Sequence, residues 1–153
     1  MPKVTNLENF AALAGQDLEP SEWMTISQDR VNQFADATND HQFIHIDEDR
    51  AAATPFGGTI AHGFLSLSLV THLTEASMPV PEGTLMTINY GSDKVRYLAP
   101  VRVGRRIRSK QTVLDVAEKK PGRWLVKTAV TIEIDGEETP AVIAEILFMH
   151  ITG

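Results

Sequence analysis

The chain has 153 residues, 42% apolar and 22% charged, with no cysteine and a formal net charge of -6. That size is one domain able to bury roughly two-thirds of its unfolded surface, and that composition is globular rather than disordered or fibrous. The acidic balance argues against non-specific nucleic-acid binding, the missing cysteines remove disulfides, thiolate nucleophiles and Cys-rich zinc sites, and no apolar run reaches the ~20 residues of a membrane span.

The first ten residues lack the basic start and apolar stretch of a signal peptide, so the expectation is a cytoplasmic protein. Thr5 and Glu8 have capping-box spacing, and Leu7, Phe10, Ala11 and Leu13 form an apolar stripe, which predicts a short helix stopped by Gly15. Residues 23–26 suit a short strand. Ser27 is a good N-cap for a helix with Val31, Phe34 and Ala35 on one face, and Asn39 suits a left-handed end. A loop then carries Asp40, His41, Gln42, Phe43, Ile44 and His45, before Asp47 caps a second short helix ending ahead of Thr54 and Pro55. From His62 to about Ser77 the pattern is a helix with Phe64, Leu65, Leu67, Leu69, Val70 and Leu73 around most of its circumference, which predicts burial on most sides. Beyond Pro81 the chain turns to strands over 84–90, 94–98, 106–117, 124–134 and 141–151, with turns at Pro121-Gly122 and Asp135-Gly136. The expected fold class is α+β, a long antiparallel sheet wrapped round one buried helix.

Asp40 and His45 are the strongest chemical candidates. A carboxylate and an imidazole brought together can hold one water, take a proton from it and return one to a substrate carbon, for about 10²- to 10⁴-fold per step. The charge that develops needs separate stabilisation, and the N–H of Gly63 at a helix start can supply it, with His62 beside it to orient that site. Asp and His at this spacing also occur as ordinary turn residues. His41 reads as an exposed loop residue and His72 as a core histidine, and His150 has no identifiable partner. No histidine pair has a usual ligand spacing, so no metal is expected. Seven cations, Lys94, Arg96, Arg102, Arg105, Arg106, Arg108 and Lys110, crowd a stretch without an acid; they either hold a polyphosphate or form a solvated strand face.

Phe34-Ala35, Asn39-Asp40-His41-Gln42-Phe43-Ile44-His45 and then Phe56-Gly57-Gly58-Thr59-Ile60-Ala61-His62-Gly63-Phe64-Leu65 together resemble the MaoC-like (R)-specific enoyl-CoA hydratases. The resemblance runs on through Asn89-Tyr90-Gly91 and Lys94-Val95-Arg96-Tyr97, and is nearest to the small single-domain branch that includes nodulation protein N-like proteins. It implies one hot-dog domain over residues 1–153, paired as a homodimer. It also implies Asp40 and His45 as the catalytic pair, the Gly63 N–H on a thioester carbonyl with His62 beside it, and Lys94 or Arg96 on coenzyme A phosphates. The implied reaction is hydration of a trans-2-enoyl-CoA to an (R)-3-hydroxyacyl-CoA, with an acyl-CoA substrate and no cofactor. The family's glycine, asparagine and proline are absent from the Asp-His motif here, which alters loop stiffness and acyl-pocket shape. Two alternatives remain. An acyl-CoA thioesterase of this fold needs a carboxylate on or near the central helix, where only Glu75 stands, and a non-catalytic acyl-CoA-binding module would leave Asp40 and His45 without a task.

Overall fold

The computed structural model describes all 153 residues. Strand β1 (Val4–Thr5) leads into α1 (Leu7–Ala11), which buries Phe10. Its cap is Asn6 and not Thr5: the Asn6 side chain accepts from the Asn9 N–H at 2.8 Å, while Thr5 belongs to β1. Strands β2 (Asp17–Leu18) and β3 (Met24–Thr25) follow, and then α2 (Gln28–Thr38). As expected, Ser27 Oγ caps α2 by accepting from the Arg30 N–H, and Asn39 ends it with φ 58°.

The Asp-His segment, expected as loop throughout, contains one helical turn, α3 (Phe43–Ile46), closed by the Asp47 N–H on the Phe43 carbonyl. Asp47 then caps α4 (Glu48–Ala52) by accepting from Arg50 N–H. The helix expected from His62 to Ser77 is a pair, α5 (Gly63–Ser68) and α6 (Val70–Glu75), joined at Leu69, whose ψ of -11° bends the backbone while its N–H still donates to Leu65 O and its carbonyl still accepts from the Leu73 N–H.

Strand β4 (Val80–Pro81) runs parallel to β1. The main sheet is built from β5 (Thr84–Tyr97), β6 (Arg106–Lys120), β7 (Arg123–Ile134) and β8 (Val142–Thr152). Its order is β2-β6-β7-β8-β5, with β3 also on β6 and every pairing antiparallel. The two strands expected over 84–98 are one, because β5 absorbs register shifts between Asn89 and Gly91 and between Asp93 and Arg96 while staying paired with β8. Lys94 adopts φ 52° inside the second irregularity.

The class is α+β, with Leu65, Leu69, Val70 and Leu73 packed in one core with Val130, Ile132, Val142 and Ile146 of the sheet. Each buried leucine or isoleucine contributes about 2 kcal/mol relative to exposure. Burial of the helix pair is one-sided, contrary to expectation: Phe64 is 68% exposed, and His72, expected in the core, is at the surface. In one copy of the chain the sheet covers only one face of these helices. No helix is long and apolar enough to cross a membrane.

Candidate functional site

Two chain segments converge on His45. Its own turn, α3, is tied to the approach to α5 by the Ile60 N–H on the Ile44 carbonyl at 3.0 Å and by His45 Nδ1 on the Ile60 carbonyl at 2.7 Å. A carbonyl only accepts, so Nδ1 carries the hydrogen and the neutral ring has its lone pair on Nε2. His45 is buried, and desolvation lowers its pKa below 6.5, opposed in part by the hydrogen bond to Ile60.

Asp40 follows the left-handed end of α2 and is half-exposed, at 51%. A carboxylate oxygen of Asp40 and ring nitrogens of His45 and His62 all lie within 4.8 Å of one another. Two hydrogen bonds of about 2.8 Å span such a gap, so one water can bridge the carboxylate and the imidazole. The same spacing could suggest an ion. Yet the rings of His45 and His62 are stacked, with centroids 3.8 Å apart and planes inclined by 23°. An ion must lie near the plane of each imidazole at about 2 Å from its nitrogen, which two nearly parallel, face-to-face rings cannot jointly provide.

A cavity of about 240 Å³ reaches His45 and is lined mainly by apolar side chains, with Phe56, Ile60, Gly63, Tyr97 and Val142 among them. Gly63 opens α5, so its N–H has no intrahelical partner one turn back. A Cβ at this position would come within 2.9 Å of the Tyr97 ring, so any larger residue has to displace that ring. Burial raises the Tyr97 hydroxyl above its ordinary pKa, keeping it neutral.

Behind the site lies a polar group that sequence reading missed. Gln28 of α2 donates through Nε2 to the His45 carbonyl at 2.7 Å. The Thr59 hydroxyl faces both Gln28 Oε1 at 2.6 Å and Glu48 Oε2 at 2.7 Å, and the Thr59 N–H donates to the same carboxylate oxygen. These bonds hold Glu48 below its ordinary pKa. Their separations, 31 and 11 residues, follow no helical or strand period, so no spacing advertised them.

Among the expected site residues, Asp40, His45 and His62 are brought together, and Gly63 and His45 share the cavity. Lys94 and Arg96 do not line it. Lys94 pairs with Glu145 at 3.5 Å, and Arg96 donates to its neighbour's carbonyl, Val95 O, with no acid partner. Four other cations of the basic stretch pair with acids: Arg105 with Glu137, Arg106 with Asp135, and Arg108 and Lys110 with Glu133. His41 is exposed against Asp36, as expected, and His150 is hydrogen-bonded to Thr87. Glu75 lines a different cavity, with Thr71 and His150.

Residues 9–137 match the model of the MaoC like domain family. The chain is 43% identical over 146 residues to 3-hydroxyacyl-thioester dehydratase Z of Mycobacterium tuberculosis, covering 95% of this chain and 96% of that one. It is 45% identical over 140 residues to nodulation protein N of Rhizobium meliloti, covering 91% and 87%. Among solved structures, the (R)-hydratase of A. caviae involved in PHA biosynthesis superposes with a TM-score of 0.72 at 27% identity, over 88% of this chain and 94% of that one.

Proposed function

The chain belongs to the MaoC-like domain family and has a hot-dog fold, and from that premise we propose that it is a hydro-lyase adding water to trans-2-enoyl-CoA to give (R)-3-hydroxyacyl-CoA, reversibly. The names of its relatives, a 3-hydroxyacyl-thioester dehydratase and an (R)-hydratase, support hydration and dehydration of acyl thioesters as the reaction class. The observation that carries the reading is the pairing of Asp40 with a neutral His45 at water-bridging distance, His45 lining the same apolar cavity as Gly63.

In this reading a water held by Asp40 and His45 Nε2 loses a proton as its oxygen bonds to C3 of the enoyl group. The π electrons shift toward the thioester carbonyl, whose oxyanion rests on the Gly63 N–H, and a proton returns to C2 on the same face. The apolar cavity excludes bulk water and strengthens these interactions. The protein's own groups suffice for this sequence, and no cofactor or metal takes part. Arg96, free of any acid partner, is the stronger choice for the coenzyme A phosphates, with Lys94 available once it leaves Glu145. Two copies pair through the exposed edge strand β5.

The test is loss of conjugated enoyl-thioester absorbance with crotonyl-CoA and a medium-chain enoyl-CoA, for wild type, Asp40→Asn and His45→Gln. Wild type consumes substrate and yields the (R)-3-hydroxy product, while each variant falls at least 10²-fold. Thiol release from saturated acyl-CoA without hydration would replace the reading with a thioesterase, and binding without either reaction would replace it with a binding module.

A further inference from the structure

We infer that His62 is a positioning residue for the whole acid–base pair: its ring packs face to face on His45, and its Nε2–H holds the main chain of Asp40. The inference rests on the proposed hydration for its kinetic meaning, while its geometry stands independently.

His62 is 2% exposed and sits just ahead of Gly63, where it makes no cap hydrogen bond to its own helix. A helix-start histidine would ordinarily serve that end, but this ring turns away from it. Nε2 lies 3.0 Å from the Asp40 carbonyl oxygen, an obligate acceptor, so Nε2 is protonated and a neutral ring leaves Nδ1 bare. Nδ1 is buried without a partner.

The ring is packed against two others. Phe34 of α2 lies at 4.9 Å between centroids, tilted by 57°, and His45 stacks at 3.8 Å. Asp40 has two other restraints: its N–H donates to the Ala35 carbonyl at 3.1 Å, and its half-exposed carboxylate accepts one long hydrogen bond from the Gln42 N–H, at 3.4 Å. The first ties Asp40 to α2, and the bond from His62 to its carbonyl ties it to the start of α5, on the side of His45. The carboxylate itself lies 4.0 Å from the same Nε2, too far for a good hydrogen bond, which leaves its oxygens for water.

The titratable neighbours of His45 are Asp40 from the loop, His62 from the start of α5 and Tyr97 across the cavity; α2 contributes the uncharged Gln28 amide. Of these, only His62 covers a face of the ring. It keeps solvent off that face, and this desolvation favours the neutral base.

The two tasks separate by substitution. His62→Gln places an amide N–H near the former Nε2 and keeps the donor while losing the ring. His62→Phe keeps a flat ring against His45 and loses the donor. The experiment is an NMR titration of the His45 ring, assigned by the signal lost in His45→Gln, together with the pH dependence of kcat/KM on crotonyl-CoA. The expected result is that His62→Gln raises the His45 midpoint toward 6.5 and moves the acid limb with it. His62→Phe leaves the midpoint near wild type and lowers kcat about tenfold with little change in KM. An unmoved His45 midpoint in His62→Gln overturns the stacking task, and unchanged kcat in His62→Phe overturns the hold on Asp40. The titration reads His45 whether or not the protein hydrates enoyl-CoA. Wild type inactive on every enoyl-CoA therefore refutes the proposed reaction and leaves the inference to be judged by the midpoint alone.

Discussion

At the scale of single residues, two buried histidines have different consequences. His45 is held neutral by desolvation, so the acid limb of kcat/KM for hydration falls below pH 6.5. A limb at or above 6.5 in a pH–rate profile would show that the group is more solvated than this geometry allows. His150 is buried between Thr87 and the edge of Phe10, and burial lowers its pKa to about 4. Between pH 6.5 and about 4 the unfolded chain binds a proton that the folded chain refuses. Stability from this group is therefore intact above 6.5 and lost as pH falls toward 4, by about 3 kcal/mol in all. Urea titrations across that range check this: His150→Gln lowers stability at pH 7 but flattens the slope. Neither partner was legible in the sequence, because Thr87 and His150 lie 63 residues apart and meet only through the register of β5 on β8.

At the scale of elements, local chemistry wrote the helix ends plainly and tertiary contacts wrote the rest. Ser27→Ala removes the oxygen that caps α2 and costs about 1 kcal/mol, readable as a lower denaturation midpoint with unchanged denaturant dependence. Gln28, one residue later, belongs to the site: its amide ties α2 to the α3 turn and to Thr59. Gln28→Ala leaves the His45 carbonyl short of a donor, while the Thr59 hydroxyl keeps Glu48, and lowers kcat about tenfold, with little effect on the circular-dichroism spectrum. Ser27, Asn39 and Asp47 were readable because a cap needs only residue type and position. The α3 turn was not, because Phe43-Ile44-His45-Ile46 has no capping side chain and is held by Ile60 and Gln28 from elsewhere in the chain. The division at Leu69 likewise leaves no mark in an unbroken apolar pattern. Asp40 and His45 were readable as candidates, but their pairing depends on His62 and the Ile60 carbonyl, which only folding brings near.

At the scale of the whole molecule, one edge of the sheet carries a run of exposed apolar side chains. Leu85, Met86, Ile88 and Tyr90 of β5 are all exposed, and β5 is the terminal strand of the sheet. Long apolar edges with unpaired backbone groups recruit another strand unless covered. The proposed pairing covers both with a second copy, so sedimentation is expected to give twice the 16.9 kDa protomer mass. Ile88→Lys with Tyr90→Asp shifts the protein to monomer; a monomeric wild type would refute the pairing. The exposed Phe64 and Tyr97, in edge-to-face contact 6.1 Å apart, extend the same apolar surface toward the cavity.

The strand order also governs how the chain can be made. β5 is the first long strand to leave a ribosome, but its partner β8 is the last, with Thr84 opposite Thr152. The hairpin of β6 and β7 can close early from local contacts, whereas β5 must wait for nearly the entire sequence before its backbone is satisfied on even one side. During that interval its aliphatic side chains have only the helix pair, or a chaperone, to shelter them. Release of a chain cut short before Val142 therefore yields an aggregation-prone product, and the hazard lasts from the emergence of β5 until β8 has followed it.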